Sequence, residues 1–245
     1  MSNGSAGVPT RTELKSVIEP AWLSYHLLRP SRRGSADPRI RIEAYRVWSE
    51  VWRRTFFELE KIHSVPSDNF SRQDEIGALF HGSECIGLIA YRWVDTADPI
   101  DMDDSYFAVW PREALHGAAA FGTRVCIFSN LAVAPAWRGN GGLVKELLGA
   151  LAMERFLSSD ADTCISTTRN DRSINALCCR GGLTSLARGV IYHGVPVDLV
   201  AFYRRVSIWP PLPRQVEAIL HTLARCPRRP RRPPQAGIKA RNDDE

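Results

Sequence analysis

The sequence predicts one α/β domain built on a mixed sheet, and three observations carry that reading. A chain of 245 residues with 44% hydrophobic and 24% charged residues has ordinary globular composition and enough length for a single generous core. Residues 76–80 and 84–94 are apolar runs on either side of His81-Gly82-Ser83, the pattern of two strands joined by a tight glycine turn. The second half then alternates strand and helix, as a βαβ unit does.

Taken in order, residues 1–10 are rich in Gly, Ser and Pro and have little to bury. A short helix is expected around residues 12–28, followed by a polar linker over 30–38, so that residues 1–37 form a flexible N-terminal segment and the folded body begins near 38. Over 41–62 the apolar residues Tyr45, Trp48, Val51, Trp52, Phe56, Leu59 and Ile62 recur at helical spacing, which predicts an amphipathic helix. The hairpin follows. Residues 95–122 read as a long connection with a short helix at 112–120, long enough to cover a site.

Residues 124–133 alternate Val125, Ile127, Ser129, Leu131 and Val133 on one face of a strand, 143–157 have helical spacing, and 163–168 form a short strand. A second helix is expected over 171–180, ending at Gly181-Gly182, and a closing hairpin over 184–192 and 195–203 around His193-Gly194. These elements fill a domain over 38–205. A separate C-terminal helix is expected over 214–224, within a 206–224 segment, and residues 225–245 form an Arg/Pro-rich tail too poor in apolar surface to order itself.

Charge and cysteine usage narrow the function classes. Net charge is +5, of which the tail carries +4, from seven Lys/Arg less three Asp/Glu, leaving +1 for the body. The run Arg228-Arg229-Pro230-Arg231-Arg232 can attract phosphates, but no RNA-binding aromatic motif accompanies it, so a nucleic-acid role is confined to the tail. Cys85, Cys126, Cys164, Cys178, Cys179 and Cys226 lack zinc-site spacing and read as buried reduced thiols; no metal is expected. No segment is apolar enough to span a bilayer, and residues 1–6 lack a basic start and apolar stretch, so the expected location is cytoplasmic.

The most informative stretch runs from Leu131-Ala132-Val133 through Ala134-Pro135-Ala136-Trp137 to Arg138-Gly139-Asn140-Gly141-Gly142-Leu143: a strand, a turn, a glycine loop, then a helix start. Glycines let backbone N–H groups converge on one anion, and a helix N-terminus adds unpaired N–H groups and a positive dipole end, which together suit a pyrophosphate. This stretch resembles the GNAT superfamily of acyl-CoA N-acyltransferases, whose loop has the form Arg/Gln-x-x-Gly-x-Gly/Ala; Arg138, Gly139, Asn140 and Gly141 match in register, and Leu143 replaces the final small residue. Asn170-Asp171-Arg172-Ser173 before an expected helix is similar to that family's Asn-led helix.

The resemblance implies that the segments 126–132 and 163–168 splay apart to admit the thioester arm of acyl-CoA, the acyl donor. It places Leu131, Ala132, Val133, Arg138, Gly139, Asn140, Gly141, Gly142, Leu143, Asn170 and Ser173 against the donor. Asn170 reads equally as a helix N-cap. Where many members carry a catalytic Glu and Tyr, this chain has Phe128-Ser129-Asn130 and Leu177-Cys178, which leaves Ser129, Asn130 and Cys178 as the catalytic candidates. Asp74 and Glu75 read as a solvated strand start, and His81 and His193 as turn residues.

The implied activity is acyl transfer from acyl-CoA to an amine of a small molecule or peptide. One alternative is a long-chain N-acyl amino acid or acyl-homoserine-lactone type of synthase, drawing on acyl carrier protein; another is an acyl-CoA-binding protein without turnover.

Overall fold

In the computed structural model of the protein, residues 18–30, 37–140 and 142–225 are described. Seven strands form one mixed sheet in the order β1-β2-β3-β4-β5-β7-β6. They are β1 (Leu23–Leu28), β2 (Glu75–His81), β3 (Glu84–Asp95), β4 (Arg124–Val133), β5 (Thr163–Arg169), β6 (Thr184–Tyr192) and β7 (Val195–Tyr203). The helices are α1 (Pro38–Glu60), α2 (Asp68–Ser71), α3 (Pro99–Met102), α4 (Arg112–Ala118), α5 (Leu143–Leu157), α6 (Ile174–Arg180) and α7 (Arg214–Arg225). All neighbouring strands run antiparallel except β4 and β5, the pair joined through α5.

The predicted amphipathic helix is α1. Asp37 starts it, accepting from the Arg39 N–H at 2.9 Å, and Pro38 fits the first turn because its missing N–H has no partner to lose. Lys61 stops it in the left-handed conformation, φ 59°. Its buried face carries Ala44, Val47, Trp48 and Val51, and each large side chain so buried contributes roughly 1.5–3 kcal/mol. This face joins α5, α7 and strands β1 to β4 in the larger apolar cluster.

A second cluster lies under the 95–122 connection, where Phe107, Trp110, Ala114 and Ala118 pack on Val125, Ile127, Ile165 and Leu199. The connection is folded, not loose. Arg92 pairs with Asp104, the Tyr203 hydroxyl donates to the Gly117 carbonyl at 2.8 Å, and the Trp110 indole donates to Thr167 Oγ1 at 3.3 Å.

Four expectations are corrected. Residues 23–28 form β1, paired along its length with β2, so the folded body begins before residue 38; the rest of the expected helix, 12–17, lies outside the described residues, as do 31–36 of the linker and the tail from 226. The helix α7 is no appendage, because Val216, Ile219 and Leu220 are buried in the larger cluster. Alternation along β4 breaks at a bulge, so Val125 and Ile127 belong to one cluster and Val133 to the other. Among the cysteines, Cys85, Cys126 and Cys164 are buried free thiols, whereas Cys178 is half-buried and Cys179 exposed; Cys226 is outside the described residues.

At the end of β7 one guanidinium closes the helix α5. Arg204 donates to the carbonyls of Ala161 at 2.7 Å, Leu157 at 2.9 Å, Phe156 at 2.7 Å and Ser159 at 3.2 Å, and lies over the Phe156 ring. Helix C-termini leave carbonyls without partners inside the helix, and here a side chain from a distant strand supplies them.

Candidate active site

The sheet opens at its centre. β4 and β5 pair only from Val125 with Thr163 to Phe128 with Ser166, after which neither continues along the other. Ser166 Oγ donates to the Phe128 carbonyl at 2.9 Å at the last rung. Beyond it, Ser129 to Leu131 on one side and Thr167 to Arg169 on the other line a cavity of about 640 Å³.

The bulge in β4 explains why consecutive residues reach that cavity. Leu88 stands opposite Ala132 and Ala90 opposite Ser129, so two residues of β4, Asn130 and Leu131, oppose the single Ile89. Asn130 takes the left-handed conformation, φ 54°, which Asn tolerates better than most residues. Phe128, Ser129, Asn130 and Leu131 thus all line the cavity, where strict alternation would have turned every second side chain away.

The cavity is lined by both charged and apolar side chains. Arg54, Arg138, Lys145, Arg169, Arg172 and Arg180 line it against the carboxylates Glu58 and Glu146, an excess of four cationic side chains. Glu58 is shared, pairing with Arg54 and with Arg172 at 2.9 Å each, while Arg169 is held by Asp171. Arg138 has no carboxylate partner among the described residues; its Nε donates to the Val133 carbonyl at 3.1 Å. Burial, then the charges of Arg54 and Arg172, push its pKa below the usual guanidinium value, and an anion bound here would relieve both charge repulsions.

The glycine loop borders the cavity through Arg138 and Gly142. Gly142, φ 90°, occupies the N-cap position of α5 and offers no side chain, so the first N–H groups of the helix have no side-chain cap. A Cβ added at Gly139 would meet nothing within 4 Å. Asn140 Nδ2 is enclosed without a hydrogen-bond partner among the described residues. Gly141 lies outside the described residues. Ala150, Met153, Leu177, Leu183, Trp209, Leu212 and Val216 give the cavity an apolar wall that includes the chain between β7 and α7.

No family model matches the sequence, and no curated protein matches it. Solved structures do share its architecture. The N-acyl amino acid synthase FeeM from uncultured soil microbes aligns at 17% identity over 74% of this chain and 90% of its own, with a TM-score of 0.51. The acyl-homoserine lactone synthase LasI aligns at 14% identity over 74% and 89%, TM-score 0.50. The CoA-dependent acyl-homoserine lactone synthase BjaI, solved with SAM and isopentyl-CoA, aligns at 16% identity over 81% and 88%, TM-score 0.50. The chain has the GNAT fold.

Within this GNAT fold the predicted site residues divide. Ser129, Asn130, Leu131, Val133, Arg138, Gly142 and Cys178 line the cavity. Ala132 and Leu143 point into the core instead. Asn170 does not cap α6: Ser173, φ 56° and without a side-chain cap, holds that position, and Asn170 Nδ2 donates to Asp198 Oδ1 at 2.9 Å while its Oδ1 is buried without a partner among the described residues. Burial works against ionisation of Asp198, but hydrogen bonds from Asn175, Asn170 and the Gly189 N–H outweigh it and hold the carboxyl below its usual range.

The remaining candidates sit elsewhere. Glu75 is buried, not solvated, and pairs with Arg155 at 2.7 Å and Arg29 at 3.6 Å; Asp74 is exposed and accepts from the Trp93 N–H. His81 ends β2 against the Trp137 ring, and His193 occupies the β6–β7 turn, its Nδ1 within reach of Glu60. Trp48, Gln73, Arg54, Arg172 and the 209–213 segment were not singled out by sequence. The aromatic stripe of α1 reads as core from spacing, and only the fold reveals that Trp52 and Arg54 border the opening.

Proposed function

We propose that the protein is an N-acyltransferase that moves an acyl group from acyl-CoA to an amine by direct attack on the thioester. The observation that carries this is the early end of β4–β5 pairing over a cavity lined by an excess of cationic side chains together with an apolar wall. A pantetheine arm can enter the gap as an added strand would, with its phosphates toward Arg138, the glycine loop and the N-terminus of α5. Gly139, Asn140 and Gly141 belong to that loop, and Asn170 and Ser173 to the facing turn.

The amine nitrogen forms the new C–N bond, the C–S bond breaks with its electron pair going to sulfur, and the nitrogen proton ends on the departing thiolate. The products are an amide and free CoA. Holding amine and thioester in attack geometry can supply roughly 7–11 kcal/mol of the barrier, so a site without a strong base is chemically adequate. Cys178 is a poor acid here, because burial pushes its thiol up to about 12, above a departing thiol of roughly 8.5. Turnover of purified protein with acetyl-CoA and a panel of amines tests the reading; absence of CoA binding together with absence of turnover refutes it.

The apolar wall favours a second reading, in which the acyl group is long and carried by CoA or acyl carrier protein. Met153, Leu212 and Val216 belong to that wall and offer a longer chain apolar surface to cover. Comparing acetyl-CoA, long-chain acyl-CoA and acylated carrier protein as donors separates the two.

A further inference from the structure

The indole of Trp48, 1% exposed on α1, donates from Nε1 to Asn130 Oδ1 at 3.3 Å. An indole N–H has no acceptor capacity, so this contact fixes which way the Asn130 amide faces. Asn130 Nδ2 then donates to Ser129 Oγ at 3.3 Å, and the Ser129 hydroxyl donates to Gln73 Oε1 at 3.4 Å. Gln73, 3% exposed, donates from Nε2 to the Asn69 carbonyl at 2.9 Å. That carbonyl can only accept. The chain of bonds from α1 through the bulge to the loop after α2 is therefore fixed in direction at both ends.

Counting what is left over gives the inference. An amide NH₂ has two hydrogens and one is used, and a hydroxyl oxygen has two lone pairs and one is used. Both residues line the cavity. We propose that Trp48 and Gln73 are positioning residues that present one donor, the second Asn130 Nδ2–H, and one acceptor, the open lone pair of Ser129 Oγ, to the reacting groups. The donor matches the thioester oxygen, on which negative charge develops, and the acceptor matches an N–H of the attacking amine. Ser129 orients that amine without removing its proton, because its own hydrogen is committed to Gln73 and the proton goes to the departing sulfur.

The inference rests on the acyl-transfer reading, and its test separates the two. In ¹⁵N-labelled protein, an acyl-CoA ketone with a methylene in place of the thioester sulfur is compared with free CoA. The Asn130 side-chain amide resonances move with the ketone and not with CoA, and Trp48→Phe abolishes that difference. In turnover, Trp48→Phe lowers kcat about tenfold and leaves KM for acyl-CoA within about twofold, the pattern of a lost transition-state hydrogen bond. Should Trp48→Phe fail to fold, Asn130→Asp gives the turnover comparison, since it keeps the acceptor for the indole and removes both donors, while the amide resonances are read in the unsubstituted protein. Ketone binding that shifts the glycine loop and leaves the Asn130 amide unmoved overturns the inference and spares the acyl-transfer reading. Failure of both ligands to bind overturns both.

Discussion

Ser166 Oγ donates to the Phe128 carbonyl at the last rung between β4 and β5, so a side chain marks where the sheet stops being continuous. Replacing it with Ala removes one partly buried hydrogen bond, worth about 0.5–1.5 kcal/mol. Ser166→Ala is expected to lower the thermal midpoint modestly and to weaken acyl-CoA binding more than CoA-independent stability would predict. Calorimetry with and without CoA reads both effects.

The glycine loop offers a cleaner separation of folding from binding. Gly139→Asp leaves the melting temperature unchanged, because a Cβ there meets nothing within 4 Å, yet it sets a negative charge beside the proposed phosphate site. CoA affinity, measured by titration calorimetry, should fall by about tenfold or more, the equivalent of roughly 1.4 kcal/mol. Gly142→Ala behaves differently: φ 90° is strained for any residue with a side chain, so it costs stability first, by about 1 kcal/mol.

Cys178→Ala is expected to change kcat by less than about threefold at saturating donor, well short of the roughly 10²–10⁴-fold of a positioned acid or base. The half-buried thiol, which desolvation pushes up to about 12, stays protonated across the working range and has no driving force toward the leaving sulfur. A thousandfold loss in folded protein would assign it a chemical role.

Asp198 gives the pH prediction. Its folded pKa is lowered, so its contribution is present above the unfolded value, roughly 3.9, and is lost as pH falls through the folded value. Asp198→Asn should cost about 1–3 kcal/mol at pH 7, with the wild-type advantage shrinking as the pH drops below the ordinary carboxylate range. Chemical denaturation at pH 7 and in acid reads the difference; a constant gap would overturn the assignment.

Much of this architecture was legible in the residues, and the failures have physical causes. The glycine turns and the two periodicities located α1, α5 and the hairpins because local sequence decides them. β1 was legible too, in Leu23, Tyr25 and Leu27 alternating with Ser24 and His26, but a neighbouring helical pattern competed with it. Strand β4 reads as an uninterrupted strand that the fold breaks with a bulge, since a bulge depends on the partner strand. The glycine loop is marked by its own residues, whereas the part of the cavity lining that α1 contributes through Trp52 and Arg54 lies on a face that reads as core. Burial of Glu75 was hidden for the same reason, as its partner Arg155 is 80 residues away.

The guanidinium that closes α5 also imposes an order on synthesis. Leu157 ends the helix, and the Arg204 hydrogen bond to its carbonyl spans 47 residues of chain. As the polypeptide leaves the ribosome, α5 is complete and Ser158 and Ser159 already bond the Arg155 and Phe156 carbonyls, but the Leu157 carbonyl still faces water and stays so until β5, α6 and both strands of the closing hairpin have emerged. That last carbonyl of α5 should accordingly be among the last backbone groups of the molecule to exchange water for a protein partner, although the apolar face of its helix is among the most deeply buried.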